Sequence, residues 1–249
     1  MGVVVQCQAF AFIAILPLIG CRAFHPVSVV SPLNVSQFTR ELAGHPDHHT
    51  VAYVLEGLQH GFRFGFRPAR RLKGAKKNKP SAFQNPRVID DCLANEVARC
   101  RVAGPFTSIP LPNLHISSFG VIPKKGQPGK WRLIVDLSSP QGASVNDGIS
   151  SDEFSMHYIK LDQIISVIVK HGSGALMAKF DVEAAYRNIA VHPEDCYLFG
   201  MKWRGQSFMD LALPFGLRSA PHIFNSVAEL VEWIIRNKHN VPDLLHYLR

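Results

Sequence analysis

The stretch Ala178-Lys179-Phe180-Asp181-Val182-Glu183-Ala184-Ala185-Tyr186 decides the fold. The apolar run 175–180 reads as a strand, and Asp181 stands at its C-terminal end. Tyr186 follows one helical turn later, across a compact Ala184-Ala185 pair. A carboxylate at a strand end over an open cleft suits a divalent metal, because hard cations take oxygen ligands. The same residues also fit an ordinary strand-terminal aspartate that caps a short helix. The nonapeptide does not separate these two readings; the order of the elements around it does.

On the C-terminal side, strands at 197–203 and 207–213 flank Arg204-Gly205-Gln206 and form a hairpin. Leu213-Pro214-Phe215-Gly216-Leu217 then leads through Ser219-Ala220-Pro221 into a long helix. Ser219 is expected to cap it and Pro221 to pre-set its first turn, while Ile223, Val227, Leu230, Val231 and Ile234 bury one face. Residues 244–248 read as a further strand. On the N-terminal side, Leu161, Ile164, Ile165 and Ile168 make an amphipathic helix closed by Gly172. Before it, strands at 118–122 and 131–137 are joined by the Gly/Pro-rich turn Lys124-Lys125-Gly126-Gln127-Pro128-Gly129-Lys130. Trp131, Leu133, Val135 and Leu137 share one face, so Arg132 projects from the other, near the turn lysines. A cationic hairpin tip of this kind is suited to cover a triphosphate, and it equally fits an edge hairpin protected by lysines.

Further upstream the period is helical. Asp47 is placed to cap a helix carrying Val51, Val54, Leu55 and Leu58, which Gly61 ends. Asn85-Pro86 opens a second helix with Ile89, Cys92, Leu93, Val97 and Cys100 as its buried stripe, stopped by Gly104-Pro105. Between them, residues 61–79 carry Arg63, Arg67, Arg70, Arg71, Lys73, Lys76, Lys77 and Lys79 without an acid, interleaved with Phe62, Phe64 and Phe66. A one-signed run with aromatic spacing suits a phosphate backbone and stacked bases, so this segment is expected to contact nucleic acid. The fold class is therefore α+β: an antiparallel sheet with packed helices, preceded by a mainly helical N-terminal region.

Composition narrows the class. Over 249 residues, 47% hydrophobic and 18% charged content excludes a disordered chain, and a net charge of +8 points to an anionic partner. Five cysteines without a CxxC pair make neither a zinc site nor a disulfide framework, so an intracellular setting, cytoplasm or nucleus, is expected. The histidines cluster only at His45, His48 and His49, which reads as a solvated helix start. The apolar run 9–20 (AFAFIAILPLIG) is short for a membrane span; it fits a signal-peptide core, though no Lys or Arg precedes it, and it equally fits a mispredicted start or a buried strand. Residues 1–30 are set apart as an apolar leader and 31–105 as an N-terminal helical and basic region.

Three blocks in this order carry a resemblance: the Lys124-Lys125 to Asp136 hairpin, Phe180-Asp181-Val182-Glu183-Ala184-Ala185-Tyr186, and Leu213-Pro214-Phe215-Gly216-Leu217 with Ser219-Ala220-Pro221. Together they resemble the reverse transcriptases of LTR-type and related retrotransposons, over residues 96–249. The upstream stretch 31–66, with Ala103-Gly104-Pro105-Phe106, looks most like elements of the DIRS type. The resemblance implies the fingers and part of the palm of a right-hand polymerase at 106–249, which adds deoxynucleotides (dNTPs) to a primer 3′-hydroxyl on an RNA or DNA template. It makes Asp181 the first aspartate of a two-metal site holding Mg2+, with the Val182 carbonyl beside it. It makes Tyr186 the steric gate against a ribose 2′-hydroxyl, Arg132 with Lys124 or Lys125 the grip on the triphosphate, and Phe215 and Gly216 the turn lying along the incoming nucleotide. The family's third motif, aromatic-X-Asp-Asp, aligns with Tyr247-Leu248, and Arg249 stands where its first aspartate belongs. On that alignment the sequence is expected to be truncated just before the Asp-Asp pair and to be inactive, with a non-catalytic nucleic-acid-binding remnant as the alternative.

Overall fold

The computed structural model describes residues 29, 31–67, 72–75, 77–156 and 159–246. Expectations that fall on Arg70, Arg71, Lys76, the apolar run 9–20 and Tyr247-Leu248-Arg249 lie outside these residues. Local signals place most helices where the periodicity puts them. Asn34 accepts a hydrogen bond from the Gln37 amide at 3.0 Å and opens α1 (Val35–Glu41). Asp47 caps α2 (His48–His60) through the Thr50 amide at 2.9 Å and its hydroxyl at 2.6 Å, and Gly61 ends it at φ 86°. Two short proline-started helices follow in succession, α3 (Pro80–Gln84) and α4 (Pro86–Ala98).

α4 stops earlier than Gly104-Pro105, with Cys100 in the left-handed region at φ 55°. The chain then enters β1 (Val102–Phe106), and Gly104-Pro105 lie inside that strand. The pairing register shifts between Ala103 and Phe106, an irregularity that lets a proline without an amide donor sit in a strand. Gly104 (φ 130°) is required there: a Cβ would meet the Ser207 carbonyl and the Phe208 ring at 2.9 Å. The boundary drawn at 105 thus falls within a paired strand, and buried residues on both sides of it share one apolar cluster. Of the expected buried stripe only Ile89 and Leu93 reach the core; Cys92 and Val97 in α4 and Cys100 beyond it are half-buried.

The first hairpin forms as expected from β2 (Ser118–Pro123) and β3 (Trp131–Asp136), antiparallel, with Pro123 opposite Trp131 and Ser118 opposite Asp136. After α5 (Leu161–His171), β4 (Gly200–Trp203) and β5 (Gln206–Asp210) make the second hairpin. β5 also pairs with β1, giving a three-stranded antiparallel sheet in the order β1-β5-β4. The long helix α6 (Ala220–Lys238) closes the core with Ile223, Val227, Leu230 and Ile234, and Val231 is half-buried. Pro221 sits in its first turn, but Ser219 does not cap it: the Ser219 hydroxyl is buried without a partner.

Two expected strands need correction. The run 175–180 is not a strand: among the described residues it pairs with no strand, and an unpaired strand has no ladder hydrogen bonds to hold it extended. Leu176 and Met177 are 76% and 78% exposed. α5 forms as expected and closes at Gly172, helped by Asp162 in its first turn and Lys170 and His171 in its last, and none of its residues is buried. Residues 244–246 are likewise irregular. The fold is thus a mixed helix-and-sheet architecture with antiparallel sheets.

Candidate nucleotide site

The β2–β3 hairpin presents its cations as the pattern of faces requires. Its turn is closed by the Lys124 amide to the Lys130 carbonyl at 2.8 Å, leaving Lys124, Lys125 and Lys130 exposed at the tip. Arg132, also exposed, lies with its guanidinium carbon 5.2 Å from the centre of the Phe215 ring, a cation–π contact. Phe215 in turn stands 5.4 Å from the Tyr186 ring, and Tyr186 meets Phe224 of α6 edge-on at 5.8 Å. Three positions far apart in sequence, Arg132, Tyr186 and Phe215, therefore form one cluster, with Gly216 beside it. Gly216 holds φ 99°, and a Cβ there would press on the Val135 carbonyl at 3.2 Å, so the turn runs close against β3.

Tyr186 is held in place by the residues immediately C-terminal to it. It sits in a 3-10 turn, Ala185–Asn188, entered through Ala184 in the left-handed region. Arg187 plunges into the interior and binds Glu96 of α4 at 2.8 and 3.0 Å, Asp210 of β5 at 2.6 Å and the Ala212 carbonyl at 3.0 Å. Burial pushes the Asp210 carboxyl up to about 6, Arg187 opposes that rise, and the Glu96 charge adds to it. Arg187 stays cationic because two carboxylates face it. Asn188 extends the anchor, accepting from Arg101 at 2.7 Å and donating to the Glu183 carbonyl at 3.0 Å. Sequence reading missed Arg187; the signal was a lone cation amid the apolar residues Tyr186, Ile189, Ala190 and Val191.

Asp181 itself is exposed in irregular chain, and Val182 is 39% exposed. Among the described residues no three His, Cys, Asp or Glu side chains gather as a metal-holding group. Asp210 is committed to Arg187, and Asp243 to Lys170 and His171. The described residues thus do not by themselves fit a Mg2+ site.

The basic segment divides. Phe62 and Phe64 are 1% and 0% exposed and belong to the core, and Phe66 packs half-buried against it, so these rings are not stacking platforms for bases. An aromatic in such a run has more to gain from the core than from solvent. Arg63 pairs with Glu194 and Asp195, Arg67 with Glu153, and Lys79 with Asp136 at 2.6 Å. Lys73 and Lys77 are exposed. Lys77 borders a groove of roughly 490 Å3, with Phe83, Lys202, Trp203 and Arg204 among its other walls; none of Arg132, Tyr186 and Phe215 lines it.

The exposed cations of the β2–β3 hairpin, Arg132 among them, thus stand beside an aromatic–glycine turn and a buttressed tyrosine. The family described as reverse transcriptase (RNA-dependent DNA polymerase) matches residues 122–248, just over half of the chain. The chain belongs to that family. No curated protein matches it. Among solved structures it is similar to the prototype foamy virus protease–reverse transcriptase: a selenomethionine-labelled CSH mutant with TM-score 0.48 and 16% identity, and the native protein with TM-score 0.44 and 18% identity. Each likeness covers 72% of this chain and 21% of the viral one, so the chain spans about a fifth of the length of those proteins.

Proposed function

We propose that this chain is the fingers and part of the palm of a retrotransposon RNA-directed DNA polymerase, of LTR or DIRS type, binding a template–primer and an incoming deoxynucleoside triphosphate. The observation that carries the reading is the cluster of Arg132, Phe215 and Tyr186. Arg132, with Lys124 and Lys125 at the hairpin tip, supplies fixed positive charge for the triphosphate. Phe215 and the close-packed Gly216 offer a flat apolar wall for the nucleoside, and Tyr186 occupies the space a ribose 2′-hydroxyl would need. Lys73 and Lys77, exposed on the basic segment, are positions for the nucleic-acid backbone, where each neutralised phosphate adds a salt-dependent increment of affinity.

Nucleotidyl transfer needs more carboxylates near Asp181 than the described residues supply, since metals provide most of the charge stabilisation in phosphoryl displacement. Binding without transfer is accordingly the behaviour proposed for residues 31–246. The deciding experiment incubates the chain with an RNA template, a DNA primer, dNTPs and Mg2+, and measures both complex formation and primer extension. Nucleotide-dependent stabilisation of the template–primer complex, lost in Arg132→Ala, supports the reading. Extension that survives Asp181→Asn would remove the role given to Asp181, and a complex indifferent to nucleotide and to Arg132 would remove the function proposed.

A further inference from the structure

Phe215, in contact with both Arg132 and Tyr186, is only half-buried. The turn that carries it is tied to a side chain 70 residues earlier, Asn146, which is 5% exposed. Asn146 stands at the head of a 3-10 turn, Asn146–Gly148, shaped by Asp147 accepting from the Ser144 hydroxyl at 2.6 Å and amide at 3.0 Å. The Asn146 carboxamide uses both of its donor directions and one of its two acceptor directions. Its Nδ2 donates to the Gly216 carbonyl at 2.8 Å and to the Ser138 hydroxyl at 2.9 Å, and its Oδ1 accepts from the Arg218 amide at 2.9 Å. Its own backbone amide donates to the Leu137 carbonyl at 2.9 Å. The partners dictate the orientation: a carbonyl cannot donate and an amide N–H cannot accept, so a flipped side chain would lose both turn contacts.

The two elements joined in this way are the two halves of the nucleotide cluster. Leu137 and Ser138 continue β3, the strand that carries Arg132, and Gly216 and Arg218 belong to the turn that carries Phe215. Arg218 reinforces the link by donating to the Ile149 carbonyl at 2.7 Å, just past the 3-10 turn. A turn with a glycine at positive φ has few intrinsic constraints, so an external clamp decides where its aromatic residue points. We propose that Asn146 is a positioning residue: its carboxamide locks the Phe215-Gly216 turn to the end of β3, setting Phe215 within reach of both Arg132 and Tyr186. Its consequence for nucleotide binding rests on the function proposed above; its consequence for geometry does not.

The test separates these two layers. In Asn146→Leu, of similar volume but without an amide, the Arg218 amide loses its acceptor and the Gly216 carbonyl its donor. Hydrogen exchange of the Arg218 amide is expected to rise by at least about tenfold, the equivalent of one neutral hydrogen bond, while amides of the β4–β5 hairpin stay protected. The nuclear Overhauser contact between the Phe215 and Tyr186 rings is expected to vanish. Should Asn146→Leu fail to fold, Asn146→Asp serves: it keeps an acceptor for Arg218 but sets a second oxygen against the Gly216 carbonyl. There the Arg218 amide is expected to stay protected while the ring contact weakens. An unchanged ring contact in the folded variant overturns the proposal. The second readout is dATP affinity for the complex with a chain-terminated primer on an RNA template, expected to fall by about tenfold in Asn146→Asp without loss of template–primer affinity. Absence of dATP binding by the unsubstituted chain would instead sink the functional reading, and the exchange measurement would still decide Asn146.

Discussion

Replacing Arg187 by methionine should be among the most damaging single changes in the chain. The stem volume is kept, but both carboxylates that face the guanidinium are left without it, and the Ala212 carbonyl loses its donor. Asp210 is only 3% exposed at its side chain and Glu96 23%, so water replaces little of what is lost. Removing one partner from a buried ion pair costs about 3–5 kcal/mol, a large share of the roughly 5–15 kcal/mol that holds a typical domain together. The pH dependence has a definite sign. Asp210 titrates near 6 in the folded chain against an ordinary value of 3.8, so the folded state holds the extra proton between those values. Its contribution to stability is fully present below the ordinary value and is lost as pH rises through about 6. In Arg187→Met the only opposing influence, the cation, disappears, so the carboxyl rises further and the stability deficit grows from about pH 5 to about pH 8. Urea unfolding followed by tryptophan fluorescence measures it, with the slope of the transition checked for two-state behaviour. A deficit below about 1 kcal/mol at neutral pH, the worth of an exposed pair, or one equal at the two ends of that pH range, would refute the reasoning. The double variant Arg187→Met with Asp210→Leu should regain part of the loss, because an apolar replacement removes the stranded charge as well.

Arg132→Ala is expected to weaken dNTP binding by roughly tenfold to a hundredfold, the scale of one charge-assisted hydrogen bond, with Arg132→Lys recovering part of it; equal affinity in filter-binding titrations would count against the triphosphate grip. Tyr186→Ala should narrow the preference for dATP over ATP by about tenfold in competition binding, and an unaltered ratio would exclude the gate. Lys73→Glu and Lys77→Glu should each lower template–primer affinity and reduce the slope of log affinity against log salt by about one phosphate contact, whereas a slope identical to that of the unsubstituted chain would place the nucleic acid elsewhere. Gly216→Ala, which forces a Cβ against the Val135 carbonyl at positive φ, should lower the unfolding midpoint and disturb the Phe215 signals; a variant as stable as the parent would mean the turn has room to shift.

The sequence by itself determined the local elements: the cap at Asp47, the glycine stop after α2, the two hairpins, the proline in the first turn of α6, and the order of motifs that marks the family. Each depends on neighbours a few residues apart, where chain stereochemistry and hydrogen-bond geometry act directly. It also placed Arg132, Tyr186 and Phe215 in one site, although only through the resemblance, since no local rule joins residues 132, 186 and 215. Tertiary structure decided what depends on partners. The phenylalanines of the basic segment went to the core because a cavity was there to take them, and Pro105 became part of a strand because β5 offered an edge. The run 175–180 pairs with no strand among the described residues, because apolar patterning alone does not supply a partner for a ladder. The buried anchors, Arg187 and Asn146, were legible least of all. A polar side chain enters the interior only where the fold brings its complement, and Glu96, Asp210, Gly216 and Arg218 converge on those two residues from segments the sequence keeps 23 to 91 positions apart.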